Sequence, residues 1–196
     1  MDLIEFFQRA KNFITSPVEE WQVIKEEQAS RSGVVRNYVL PFIFLLAITT
    51  FLGIFLFRNY VTVSIMVLGA VVNSLGAFLS IYISAWIINE LAPRFESKKD
   101  FTSSFKLATY SYTAVFITHS IASLLLPLYF IVIFGLYSVY VLWMGLGPMM
   151  ETPKESRLIY GIICSLTILV VYALLITGLG ALSTSLFVSY GMNTLT

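Results

Sequence analysis

The stretch FKLATYSYTAVFITHSIASLLLPLYFIVIFGLYSVYVLWMGLG, residues 105–147, decides the fold. After Lys106 it holds no acidic or basic side chain except the chain's only histidine, His119. A bilayer core about 30 Å thick takes about 20 helical residues to cross, so this apolar length amounts to about two crossings. Pro127 divides it. Proline lacks an amide donor but suits a first helical turn, so the spacing predicts a tight turn over 124–127 between two antiparallel spans. Without water each span must satisfy its own backbone, which leaves helix as the available form.

The rest of the chain has the same character. Of 196 residues, 58% are hydrophobic and 12% charged, with a mean hydropathy of +0.84, outside the range of a soluble domain. This length holds about five spans and leaves no room for a soluble catalytic domain. The single cysteine, Cys164, lies in an apolar run and reads as a small core residue. The first residues lack the uninterrupted apolar core and cleavage site of a secretory signal, so an internal span is expected to drive insertion.

Outward from the central hairpin, the expected class is all-α: a polytopic membrane protein with five transmembrane helices at about 38–57, 61–91, 105–124, 127–147 and 158–182. An N-terminal cytosolic region, 1–37, precedes this membrane domain of 38–196. In that region Leu3, Phe6, Phe7, Ala10, Phe13 and Ile14 recur at helical spacing opposite Asp2, Glu5, Gln8, Arg9 and Lys11, which predicts an amphipathic helix. Ser16, Pro17 and Glu19 give the capping-box start of a second helix with Trp21 and Ile24 on one face. The pair either lies at headgroup level with Trp21 as anchor or packs on the inner ends of the spans. Pro41 is expected in the first turn of span one, whose outer end is marked by Arg58, Asn59 and Tyr60. Ser103 or Ser104 is expected to cap span three, and Glu90 to be solvated or paired with Arg94.

Basic residues orient the chain. The tail, the loop after span two and the loop after span four hold eleven; the opposite side holds only Arg58. The N-terminus is therefore expected in the cytoplasm and the C-terminus outside it. Five basic against six acidic residues in 1–37 do not favour binding to anionic lipid through charge alone.

Chemistry is sparsely marked. There is no metalloprotease, nucleophile-elbow or P-loop motif and no pair of intramembrane carboxylates, so no catalytic residue, metal site or cofactor is expected, and the protein reads as a non-enzyme. Scattered basic residues exclude nucleic-acid recognition. Two stripes of small residues in span two, Gly69, Asn73 and Ala77, and Gly76, Ser80 and Ser84, form a candidate packing or oligomer interface. Asn73, Tyr110, Tyr112, His119 and Tyr137 form a candidate polar intramembrane site.

Four segments, with the five-span plan that links them, together resemble the Ypt-interacting protein (Yip) domain family: ITSPVEEW (14–21), YVLPF (38–42), LAPRFESKKDFTSSFKLATYSYT (91–113) and GLYSVYVLWMGLGPMMETPKESR (135–157). The resemblance implies a helical, often oligomeric membrane protein. Eukaryotic members act in early secretory traffic and bind Rab-type GTPases through the cytosolic N-terminal region. This N-terminus lacks the acidic-aromatic-glycine-proline motif of those members, and YSYT lacks their preceding glycine, which argues against a Rab partner. The SPVEEW start resembles the bacterial branch, hence a bacterial cytoplasmic membrane. The expected function is a membrane adaptor or organiser acting through homo- or hetero-oligomers in the lipid bilayer. The alternative is a transporter or channel for an ion, small molecule or lipid, with a path near His119 and Asn73.

Overall fold

The structure, a computed structural model, describes residues 3–27, 29–57 and 62–193. Arg58, Asn59, Tyr60 and the 61 start of span two lie outside these described residues, as does Asp2. The helices are α1 (Leu3–Thr15), α2 (Pro17–Glu26), α3 (Arg31–Val34), α4 (Leu40–Phe57), α5 (Val63–Leu91), α6 (Phe101–Ser111), α7 (Thr113–Leu124), α8 (Tyr137–Met150) and α9 (Lys154–Asn193). Among the described residues four helical stretches are long and apolar enough to cross a bilayer: Arg31–Phe57, Val63–Phe95, Leu126–Met150 and Lys154–Leu182.

Successive long elements run in opposite directions. Asn73 of α5 meets Thr50 of α4, while Gly69 faces Ile54. Ser84 and Asn89 of α5 meet Tyr112 and Ser104 on the way back up. Thr118 of α7 faces Gly135 in the 3₁₀ segment that follows it, and Gly161 of α9 faces Trp143 of α8. The loop after α5 and the end of α8 share one face of the bundle, where the Lys98 amide donates to the Met150 carbonyl at 2.8 Å.

The third expected span departs from the sequence reading. It is broken at Tyr112 into α6 and α7, of 11 and 12 residues, neither long enough alone. The Thr113 hydroxyl donates to the Tyr110 carbonyl at 2.6 Å, competing with the helical ladder at that point. The turn at Pro127 is present, but the chain then winds as a 3₁₀ helix over Leu126–Leu136 before α8 begins. Aromatic and β-branched residues from Tyr129 to Phe134 lose side-chain freedom in an α-helix, which lowers the cost of the tighter winding.

Pro41 is the second residue of α4, but it is not in the first turn of the continuous helical stretch, which starts earlier. The helix begins at Arg31, capped by the Ser30 hydroxyl accepting from the Gly33 amide at 3.2 Å. A π-helical turn, Val35–Val39, ends two residues before Pro41 and widens the helix where the ring would otherwise crowd the preceding turn. Ser16 precedes α2 and Pro17 opens it, but no side-chain capping bond forms. Glu90 pairs with Lys99 at 2.7 Å rather than with Arg94, because the 3₁₀ turn Ala92–Phe95 and the left-handed Glu96 redirect the chain after α5.

Asp100, not Ser103 or Ser104, caps α6. Its carboxylate accepts from the Thr102 and Ser103 amides at 3.3 and 2.9 Å and from the Ser103 hydroxyl at 2.7 Å. Partial burial raises the carboxyl pKa, but these bonds and Lys98 outweigh it and hold it below the ordinary value. A folded-state pKa below the unfolded one adds stability above the ordinary carboxylate pKa, and that stability drains away as pH falls through the folded value. Asp100→Ala is expected to cost about 1 kcal/mol at neutral pH. The difference from wild type in detergent unfolding should shrink on acidification to below pH 4.

Candidate functional site

Two polar constellations stand out, one where α1 and α2 pack on the bundle and one between α4, α5 and α7. The first is built by α1 and α2. Phe6, Ala10 and Phe13 of α1 and Trp21 and Ile24 of α2 are buried against the bundle. The Trp21 indole N–H donates to the Val141 carbonyl at 2.8 Å, and Phe13 stacks on Tyr110 with centroids 4.9 Å apart. The helical pair packs against the bundle instead of standing apart from it. Trp21 is a core residue, not a headgroup anchor.

Between α1, α2 and α3 lies a cavity of about 680 Å³ floored by Tyr38 and Tyr110. Arg9 spans it, with its Nε 3.3 Å from Glu20, its fork on the Glu27 carboxylate and one Nη 3.5 Å from the Tyr110 hydroxyl. Asn12 adds a 2.8 Å bond to Glu20, and the Lys106 ammonium donates to the Glu27 carbonyl at 2.8 Å. Burial alone would lower the Arg9 pKa, but Glu27 and Tyr110 outweigh it and raise it above its ordinary value. The group is a permanent cation, and with its carboxylates it clamps the N-terminal helices together. Lys106 therefore reaches the C-terminal carbonyl end of α2 rather than open water.

Arg9→Ala leaves the Glu20 side chain, 7% exposed, without its cation. Loss of one member of a fully buried pair costs about 3–5 kcal/mol, and partial water access here reduces this to about 2–3 kcal/mol. Adding Glu20→Gln should restore about half of the loss in thermal unfolding, because the stranded charge is then removed.

The second constellation is centred on Asn73. Its Nδ2 lies 2.8 Å from the Thr50 hydroxyl and 3.0 Å from His119 Nε2, joining α4, α5 and α7 at one amide. His119 stands edge-on to Tyr172 of α9, with centroids 5.8 Å apart. Among the described residues the buried Asn73 Oδ1 and Tyr172 hydroxyl have no hydrogen-bond partner.

The structure thus brings Asn73 and His119 together and separates the other candidates. Tyr112 bonds to Ser84 and to the Ile168 carbonyl, both at 3.0 Å. Tyr110 belongs to the Arg9 clamp. Tyr137 donates to the Ile14 carbonyl at 2.9 Å, fixing the end of α1. The small-residue stripes make contacts within the chain's own core. Ala77, Ser80 and Ser84 are fully buried, and a Cβ at Gly76 would meet Ile176 and Leu179 of α9 at 3.0 and 3.4 Å. Sequence reasoning missed Thr50 and Tyr172, which carry no mark beyond their polar atoms, and the pairing of Arg9 with Glu20 and Glu27, which depends on how α1 folds back on α2. Among the described residues no group of three or more His, Cys, Asp or Glu side chains is placed to hold a metal ion.

Long apolar helices alternating in direction, keyed together by hydroxyl-to-carbonyl bonds across helices, define a multi-pass helical membrane protein. The Yip1 domain matches residues 11–188, nearly the whole chain, and the protein belongs to that family. No curated protein and no solved structure matches it.

Proposed function

We propose that this protein is a non-enzymatic organiser of membrane proteins that crosses the bilayer five times, α6 and α7 together forming the third crossing. In this reading α1 and α2 lie on the cytoplasmic side, the C-terminus lies outside, and the membrane is the bacterial cytoplasmic one. The alternating helix directions and the eleven-to-one placement of basic residues support the topology. The observation that carries the function is the rigid seating of α2. Its inner face is locked by Trp21, Ile24 and the Arg9 clamp, so its outer face, with Val18, Glu19, Gln22 and Lys25 exposed, is held in one orientation at the end of the bundle. A preorganised surface of this kind costs little ordering entropy when it meets another protein.

The test is a photo-crosslinking side chain placed at Gln22 and, separately, at the exposed Leu166 of α9, in native membranes. Discrete protein adducts are expected from position 22 and lipid adducts from position 166. Lipid or solvent adducts alone from both positions would end the association reading.

The unpaired Asn73 Oδ1 and Tyr172 hydroxyl favour a second reading, in which a small hydrogen-bonding solute or proton passes the Asn73–His119 pair. Flux in proteoliposomes that is abolished by His119→Ala would replace the first reading with this one.

A further inference from the structure

A groove of about 440 Å³ runs between α1, α4 and α7. Phe6 of α1, Phe42 and Leu45 of α4, and Ile117, Ile121 and Leu124 of α7 make its walls. Lys11 is the one charged residue lining it, its side chain is exposed, and among the described residues it forms no ion pair. Leu3, Phe7 and Ile14 are exposed on the same side of α1 as Lys11, because positions 3, 7, 11 and 14 fall on one helical stripe, which corrects the sequence expectation that sets Lys11 on the opposite, polar face. An apolar row with a lysine in it belongs at the boundary between acyl chains and headgroups, where the ammonium snorkels to the phosphate layer.

We propose that this groove binds one anionic glycerophospholipid of the leaflet that carries α1, its phosphate against the Lys11 ammonium and an acyl chain laid along the groove toward Leu124. Two features select that occupant. A transmembrane helix about 10 Å across is too thick for a channel of this volume, whereas a single hydrocarbon chain is not. The lone uncompensated cation at the rim selects net negative charge, a preference of about 1 kcal/mol for one lysine near the membrane surface, or about fivefold in occupancy. The charge balance of the whole N-terminal segment gives no such attraction, so the selectivity is local to Lys11 and requires the groove beside it.

The test is native mass spectrometry of the full chain released from membranes holding equal phosphatidylglycerol and phosphatidylcholine. About fivefold preferential retention of phosphatidylglycerol is expected, falling to parity in Lys11→Gln and unchanged in Lys25→Gln, a control lysine on the exposed side of α2. Ile121→Phe, which fills the groove, should lower retention of both lipids. Glycerol phosphate, which has the headgroup charge and no chains, should fail to displace the bound lipid, and this arm decides the role of the groove even if Ile121→Phe does not fold. The proposal is overturned by parity in the wild type, by an equal effect of the two lysine substitutions, or by displacement with glycerol phosphate.

Discussion

Gly53→Ala is expected to separate α4 from α7 and to be among the most damaging single-methyl changes in this protein. A Cβ built on Gly53 would stand 1.7 Å from the Ser123 carbonyl oxygen and 2.8 Å from its carbon. Both atoms are backbone, so no side-chain rotation relieves the contact and the helices themselves must move apart. Overpacking by a methyl costs about 1–3 kcal/mol where neighbours can adjust, and this site lies at or above the top of that range because they cannot. The movement would propagate. Thr50, one turn before Gly53, is bonded to Asn73, and Asn73 to His119, so displacing α4 from α7 pulls directly on the amide that joins three helices. Unfolding in detergent should show a loss of about 3 kcal/mol or more. Gly178→Ala provides the control, since a Cβ there meets nothing within 4 Å. It should leave stability unchanged or slightly raised, as expected for a better helix former. Equal stability of Gly53→Ala and wild type would show that α4 and α7 do not approach this closely.

The contrast between Gly53 and Gly76 shows what this sequence discloses. Gly76 is followed by Ser80 and Ser84 at four-residue steps, a stripe that marks a close helix contact, and the structure places that contact against α9. Gly53 lies alone in an apolar run where every neighbour is equally compatible with lipid or protein, so nothing in the pattern says which glycine touches a backbone. The same limit explains the third span. Apolar length reveals that residues 105–124 are buried, but the break at Tyr112 arises from the Thr113 hydroxyl and from Tyr38, 75 residues away, whose hydroxyl lies 2.8 Å from that of Thr113. In lipid, hydropathy reports exposure to the bilayer and stays silent about which helices are neighbours. The polar site divides in the same way. Asn73 and His119 are legible because ionisable and amide groups are rare inside spans, whereas Tyr110 and Tyr137, expected beside them, instead hold the N-terminal helices, a role that nothing in their pattern among eleven tyrosines marks.

Those helices give the second large effect. Trp21 is fully buried, its ring packs edge-on against Phe13 and Tyr110 with centroids 5.0 and 6.0 Å away, and its indole N–H is spent on the Val141 carbonyl. The site is shaped for it: a Cβ on Gly145 would stand 2.6 Å from the indole ring, so α8 carries glycine where the tryptophan lies across it. Truncating a buried tryptophan to alanine costs about 3–5 kcal/mol through lost burial and an unfilled cavity. The Val141 carbonyl would keep its helical bond, which limits the added polar penalty. Because α2 meets the bundle mainly along α8, the loss should fall on the attachment of the N-terminal helices before it reaches the spans. Trp21→Ala is therefore expected to become sensitive to protease between residues 15 and 30 while the fragment from Arg31 onward stays intact in the membrane. Gly145→Leu should reproduce that pattern from the other side of the contact, with Trp21 itself unchanged. Protection of this segment in both variants would mean that α1 and α2 are held by the Arg9 clamp and Tyr137 alone. Exposure in both, together with loss of any adduct formed from position 22, would tie the seating of α2 to the association that the protein is proposed to serve.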